Sequence, residues 1–173
     1  MGYTTEFEGS VSIEPPLNAS EISYLRSFAE SRRMNRTQGP LYVEGSGFRG
    51  QNSSDDGVID GNRPHPDQPG LWCQWVPTDD GADLEWDGGE KFYESPQWMK
   101  YIVQKLLAPE GKGYVAAHID EDPRLAHFTN DHVVNGEIFA QGEENEDRWW
   151  LQVTDNEVFV TEAVLTRGLP TSI

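Results

Sequence analysis

The chain predicts an α+β fold: a single domain, residues 1–173, with a mostly antiparallel sheet of about six strands and two helices packed on one face. Two segments carry helix-capping signals followed by an apolar stripe. Several short segments alternate between apolar and polar residues, as half-buried strands do. No linker or internal repeat divides the sequence, so we expect one core rather than two.

The N-terminal part predicts a strand followed by a helix. Residues 4–13 alternate loosely between apolar and polar side chains, and a proline pair ends them. The helix is expected over residues 18–33. Asn18 can cap its N-terminus, and Glu21, three residues later, completes a capping box. The apolar stripe of this helix consists of Ile22, Leu25, Phe28 and Ala29.

The middle of the chain predicts a long loop and then a hairpin. Residues 35–69 are rich in glycine, proline, asparagine, serine and aspartate, which indicates an irregular excursion. Residues 71–76 are expected to form a short buried strand and residues 77–81 a turn. Residues 84–86 are then the return strand.

The second helix is expected over residues 95–108, with Ser95 as its N-cap and Pro96 in its first turn. The apolar face of this helix consists of Trp98, Met99, Ile102, Val103, Leu106 and Leu107. An exposed loop containing the acidic run 120–122 should follow the helix.

The C-terminal part predicts further strands joined by tight turns. Asn135-Gly136 is typical of a type I′ hairpin turn, and Asp155-Asn156 is expected to be a second turn. Residues 165–173 are expected to fray.

Charge is the strongest constraint on function. The net charge is −17, from 13 basic and 30 acidic residues, and 24 of the acidic residues follow residue 50. Such a body should repel nucleic acid and anionic membranes, and it should attract a basic protein or cations. We therefore expect a basic protein partner, no direct nucleic-acid binding and no membrane association. The oligomeric state stays open.

The compartment follows from cysteine usage and hydropathy. The single cysteine, Cys73, excludes an intramolecular disulfide framework and fits a reducing environment. Neither a signal peptide nor an apolar run of membrane-spanning length is recognisable. These observations predict a cytoplasmic protein.

Acidic residues crowd into two short segments, each at a predicted turn. They could present one negative surface to a basic partner. Three tryptophans lie in or beside the first segment and suit either a core or a contact surface. The predicted interaction residues are Asp79, Asp80, Asp83, Glu85, Asp87, Glu90, Glu143, Glu144, Glu146 and Asp147.

A metal site is the competing interpretation of the first segment. Residues 79–83 partly resemble a calcium loop but lack its full spacing. Residues 87–91 loosely resemble metal-dependent nuclease sites but lack the acid-x-Lys spacing. We favour a solvated acidic hairpin and expect no metal, no cofactor and no catalytic residue.

Three other features are candidates for a functional site. His118, His127 and His132 flank the acidic run and could bind a metal, although incidental polar residues are the simpler interpretation. Cys73 is expected to be buried and unreactive. An arginine cluster could bind an anion or could simply neutralise the acidic body, and we leave both open. It consists of Arg26, Arg32, Arg33 and Arg36.

The stretches PGLWCQWVP at 69–77 and EWDGGEKFY at 85–93 resemble a family of small acidic proteins from phage and bacterial, often actinobacterial, genomes. Residues 2–7, 140–143 and 155–156 add to the resemblance. No activity is established for that family, so the resemblance assigns no catalytic residue. It implies a cytoplasmic protein of phage or mobile-element origin.

We therefore expect a non-enzymatic, acidic interaction protein that imitates the charge of DNA and so inhibits or regulates a basic partner. The alternative is a small metal- or ligand-dependent enzyme built on the carboxylate hairpin 79–94 and the His/Asp loop 118–132. A structural or assembly component is a third possibility, because an open sheet has edges available for pairing.

Overall fold

The computed structural model describes residues 2–43, 57–163 and 168–173, and in these ranges it contains eight strands and three α-helices. The strands are β1 (Glu6–Glu14), β2 (Met34–Arg36), β3 (Val58–Pro64), β4 (Trp75–Pro77), β5 (Asp83–Trp86), β6 (Val133–Gln141), β7 (Arg148–Thr154) and β8 (Glu157–Glu162). The helices are α1 (Ala19–Glu30), α2 (Ser95–Tyr101) and α3 (Lys112–Ala117).

Six strands form the main sheet, in the order β4-β5-β1-β6-β7-β8, and every neighbouring pair is antiparallel. Strands β2 and β3 form a separate two-stranded sheet. The predicted α+β class, with a mostly antiparallel sheet of six strands, is confirmed. The third helix was not predicted.

Helix α1 begins as the sequence predicts. The Asn18 side chain accepts a hydrogen bond from the Glu21 N–H, and the Glu21 side chain accepts one from the Asn18 N–H, each at 2.9 Å. This capping box satisfies two of the amide groups that a helix N-terminus leaves unpaired. Buried side chains Tyr24, Leu25 and Phe28 anchor the helix to the core.

Helix α2 begins at Ser95, the first residue of the predicted span, but Ser95 is not its cap. Its cap is Glu94, in the left-handed region with φ 58°, and Glu94 makes no side-chain capping bond. The helix continues as a π-helical turn over Ile102–Leu107, which ends with an Ala108 N–H to Val103 carbonyl bond of 2.8 Å. The six apolar side chains predicted to face the core are all buried.

Of the two predicted turns, one is confirmed and the other is not. Asp155-Asn156 is a turn, as predicted, and both residues have positive φ. Asn135-Gly136, however, lies inside β6, opposite Val11 and Ser12 of β1. A Cβ atom at Gly136 would stand 2.9 Å from the Val11 Cα, so this glycine permits close approach of two strands rather than a hairpin.

Three predicted loop or strand segments also need correction. Residues 110–131 contain α3 and short 3₁₀ turns instead of an exposed loop. The excursion 35–69 contains β3 and two residues of β2, although its stretch 44–56 lies outside the described residues. The strand predicted at 71–76 is confined to β4. In the predicted frayed end, residues 168–173 are exposed, and 165–167 lie outside the described residues.

Large aromatic side chains fill the core at the end of the sheet where β1 begins. The Phe7 ring packs edge-on against neighbouring rings with centroids 5.1–5.9 Å apart. These neighbours are Trp75, Trp86, Phe92 and Trp149. Across the described part of the chain, we find no helix with the length and apolar character that spanning a membrane requires.

Candidate functional site

The loop after β5 is held against the segment before β4 by the side chain of Gln74, which is almost fully buried. Its amide donates to the Glu90 carbonyl at 2.9 Å, and its oxygen accepts from the Trp86 indole N–H at 3.2 Å. The Asp87 N–H donates to the Gln74 carbonyl at 3.0 Å. These bonds hold the backbone of the segment that carries Asp87 and Glu90.

The turn between β4 and β5 is closed by Asp80. Its Oδ1 accepts hydrogen bonds from the Ala82 N–H at 3.0 Å and from the Thr78 hydroxyl at 2.8 Å, and these bonds hold the pKa of the carboxyl below its ordinary value. On β5 itself, Asp83 accepts from the Ser10 hydroxyl at 3.2 Å. Both carboxylates therefore contribute to the hairpin's own structure.

A groove runs between α1 and this hairpin, made of three adjoining cavities of about 570, 400 and 560 Å³. The first and second share Ala29, Glu30 and Asp87 as walls, and the second and third share Trp72, Gln74 and Glu90. We call the whole feature the acidic groove.

Carboxylates outnumber basic groups along the acidic groove. Its basic lining residues are Arg26 and Lys91, and Arg26 is paired with Asp79 at 2.5 Å. Partial burial raises the pKa of Asp87, against a smaller opposing effect of the Gly89 N–H that it accepts. The acidic residues that line the groove are Glu30, Asp79, Glu85, Asp87, Glu90 and Glu94.

The two predicted groups of interaction residues lie only partly at the same end of the sheet. Along β1, Ser12 pairs with Asp83, whereas Glu6 pairs with Gln141. The turns 79–82 and 142–147 therefore lie at opposite ends of β1, whereas Asp87, which follows β5, lies toward the end where β1 begins and where the turn 142–147 lies. Of the ten predicted residues, four line the acidic groove: Asp79, Glu85, Asp87 and Glu90.

The second acidic turn nevertheless adjoins one end of the groove through Tyr3. The Tyr3 hydroxyl donates to Asp147 Oδ2 at 2.6 Å, and the Tyr3 N–H donates to the Tyr93 hydroxyl at 3.2 Å. The hydrogen bond to Asp147 raises the pKa of Tyr3. Glu143, which accepts from the Thr4 N–H at 2.7 Å, Glu144 and Glu146 are exposed on the same turn. The negative surface thus extends from the end of the acidic groove at Tyr93 to the carboxylates of the turn 142–147.

The predicted arginine cluster is divided among structural roles. Arg33 is buried, donates to the Ser31 and Pro40 carbonyls, and lies over the Phe28 ring at 4.4 Å, and its burial lowers its pKa. Arg36 is also buried, and Arg32 donates to the Gly61 carbonyl at 3.1 Å. With Arg26 paired to Asp79, the four arginines present no common exposed surface for an anion.

The histidines are likewise dispersed. His118 bonds to Glu121, His127 is exposed, and His132 is buried against Glu21, with Nε2 and Oε2 2.8 Å apart. Within the residues that the structure describes, no three His, Cys, Asp or Glu side chains are arranged to hold a metal ion.

Cys73 is fully buried, as predicted. Burial raises the pKa of its thiol to about 12, so the thiolate that a nucleophile requires is scarce at neutral pH.

The sequence left open whether Trp72 lies in the core or at a contact surface, and it did not single out Tyr93 or Glu94 within the segment 79–94. Trp72 was assigned to a strand, yet it lies before β4 and forms a wall of two cavities. In a strand, residues three apart lie on opposite faces, so burial of Trp75 places Trp72 on the face away from the core, and this is the signal that could have identified it. Tyr93 and Glu94 follow a glycine pair and were not assigned to any element.

Comparisons with protein-family models, with curated proteins and with solved structures found no match, and function is therefore inferred from the geometry of the acidic groove.

Proposed function

We propose that this chain is a non-enzymatic, cytoplasmic interaction protein whose acidic groove engages a basic protein partner. The supporting observation is the groove itself, in which six carboxylates and two exposed or half-exposed aromatic rings line three adjoining cavities. Hydrogen bonds from Gln74 hold the backbone that carries Asp87 and Glu90, so binding a basic group requires little reordering of this segment.

Charge distribution supports a role in competing with DNA. A cleft lined by one sign of charge concentrates field lines and accelerates the approach of an oppositely charged partner. In this proposal the carboxylates occupy a surface that the partner otherwise offers to phosphate groups, so the protein acts as a DNA-mimic-like inhibitor or regulator. The acidic turn beside Tyr93 extends the same negative surface.

The alternative of a metal-dependent enzyme has less support. The described histidines of the 118–132 segment bond to separate carboxylates or lie at the surface. The carboxylates of the hairpin are spread along a groove, whereas a metal requires them to converge on one point.

The test compares two variants that each lose three negative charges. The groove variant carries Glu85→Gln, Asp87→Asn and Glu90→Gln. The control variant carries Glu137→Gln, Asp155→Asn and Glu157→Gln, on the β6–β8 half of the sheet and away from the groove. Proteins from a bacterial lysate are captured on wild type and on both variants and are identified by mass spectrometry. Each captured DNA-binding protein is then loaded with labelled duplex DNA, and release of that DNA by the wild-type protein is measured.

We expect at least one DNA-binding protein to be retained by wild type and the control variant but lost by the groove variant. Its binding should weaken steeply with salt, because screening acts over about 8–10 Å at moderate ionic strength. Wild type should also displace DNA from it. Equal retention by both variants would show that the groove is not the binding surface.

A further inference from the structure

One end of the acidic groove differs from the rest. The third cavity, of about 560 Å³, is walled mainly by apolar and aromatic groups, with carboxylates at its rim. Its apolar walls are Pro64, Pro69, Leu71, Trp72 and Tyr93, and its rim carries Glu90, Lys91 and Glu94. We call this end the aromatic pocket.

The aromatic side chains of the pocket are placed unlike those of the core. Tyr93 is 55% exposed and Trp72 is half-buried, whereas Phe7, Trp75 and Phe92 are buried. A large aromatic area left open in a concave site is typical of a surface that a ligand covers. The hydroxyl tip of the Tyr93 side chain accepts a hydrogen bond from the Tyr3 N–H at 3.2 Å, and this bond steadies the ring.

The chemistry of the pocket selects for a group that is both flat and cationic. The face of an aromatic ring attracts a cation, and the Glu90 and Glu94 carboxylates accept its N–H groups. A guanidinium group satisfies both demands at once, because it is planar, stacks on rings, and is more weakly hydrated than an ammonium group. A lysine ammonium group would lose more hydration on entering apolar walls.

We propose that the aromatic pocket receives an arginine side chain of the basic partner, while neighbouring basic residues of the same extended segment lie along the rest of the acidic groove. This inference rests on the proposed function and adds to it the residue type that anchors the partner. Extended chain advances about 3.3 Å per residue, so a short segment spans from the pocket to the carboxylates beside α1.

The test uses two fluorescein-labelled peptides, one alternating arginine with glycine and the other alternating lysine with glycine. Affinities are measured by fluorescence anisotropy at several salt concentrations. The variants are Tyr93→Leu, which keeps an apolar side chain but removes the ring, and Tyr93→Phe, which keeps the ring but removes the hydroxyl. Because Tyr93 is largely exposed, both variants should fold, and circular dichroism checks this.

We expect wild type and Tyr93→Phe to bind the arginine peptide more tightly than the lysine peptide. Tyr93→Leu should weaken binding of the arginine peptide about threefold to tenfold, the range of a cation–π contact, and should leave its salt dependence unchanged. The groove variant should instead reduce the salt dependence.

Two results would overturn the proposal that the aromatic pocket receives an arginine side chain. One is unchanged binding of the arginine peptide by Tyr93→Leu while the groove variant weakens it, which leaves the proposed function intact. The other is equal affinity of wild type for the two peptides. If wild type binds neither peptide, the pocket and the proposed function fail together.

Discussion

Trp75 and Trp98 place the same indole group in two different polar environments. Both are buried, at 1% and 0% exposure. The Trp75 N–H donates to the Ser95 carbonyl at 2.8 Å, whereas the Trp98 N–H has no partner among the described residues. It faces Gly70, where a Cβ atom would come within 3.3 Å of it. A buried donor without an acceptor has lost its hydrogen bonds to water and has gained no hydrogen bond within the protein, which costs free energy.

The first prediction compares phenylalanine substitutions at these two positions. Both remove similar apolar volume, but Trp75→Phe also breaks a buried hydrogen bond, whereas Trp98→Phe removes an unsatisfied donor. We expect Trp75→Phe to lower the free energy of unfolding by about 1–2 kcal/mol more than Trp98→Phe does. Urea denaturation followed by far-UV circular dichroism measures the difference. Equal losses would mean that the Trp98 N–H has an acceptor in solution.

At the scale of elements, α1 is joined to two other segments through a buried ion pair. His132 Nε2 bonds to Glu21 at 2.8 Å, and its Nδ1 bonds to the Pro15 carbonyl at 2.6 Å. Oxygen atoms face both ring nitrogens, and this arrangement favours the imidazolium form, in which both nitrogens donate. Glu21 belongs to the capping box, so the same carboxylate caps α1 and binds the histidine.

The second prediction concerns the pH dependence of this pair. Burial alone lowers the pKa of His132, but the bonds to Glu21 and Pro15, with Asp131 3.7 Å away, raise it overall. A raised folded-state pKa contributes stability that is complete below the unfolded value of 6.5 and is lost as pH rises through the folded value.

Glu21→Gln tests this prediction, because glutamine still has a side-chain oxygen for the capping box. Its cost in unfolding free energy should be largest near pH 6, approaching the roughly 3 kcal/mol typical of breaking a buried ion pair. The cost should shrink as pH rises above 6.5. Thermal denaturation over this range, with wild type alongside, gives the comparison. A cost that is constant with pH would mean that His132 is neutral.

At the scale of the whole molecule, the net charge of −17 opposes compaction. Carboxylates lie at both ends of β1 and along the acidic groove, so their mutual repulsion acts across the fold. Since His132 and Arg33 are enclosed by hydrogen bonds, added salt screens the exposed repulsion more than these buried contacts.

The third prediction follows from that repulsion. Raising sodium chloride from about 0.01 M to about 0.5 M should raise the melting temperature by a few degrees, because the Debye length falls well below the spacing of the exposed charges. The groove and control variants, each with three fewer charges, should show smaller rises. Differential scanning fluorimetry records them. A melting temperature that falls with salt would show that attractive surface pairs dominate.

The sequence by itself determined the parts of the fold that depend on near neighbours. Asn18 and Glu21 are three residues apart, so the capping box could be recognised without knowing the rest of the chain. Alternation along β1, the apolar face of α2 and the burial of Cys73 also follow from local pattern. The net charge, and with it the expectation of a basic partner, needs only composition.

The tertiary structure decided everything that depends on which distant residues meet. Gly136 lies within a strand because Val11 passes close to it, and no local signal contains that approach. The four arginines were separated because burial drew Arg33 and Arg36 inward. The acidic groove combines Glu30 of α1 with Trp72 and Tyr93, which are 42 and 63 positions further along the chain. Its composition is set by strand order and helix packing, which arise from long-range contacts that short periodic patterns do not encode.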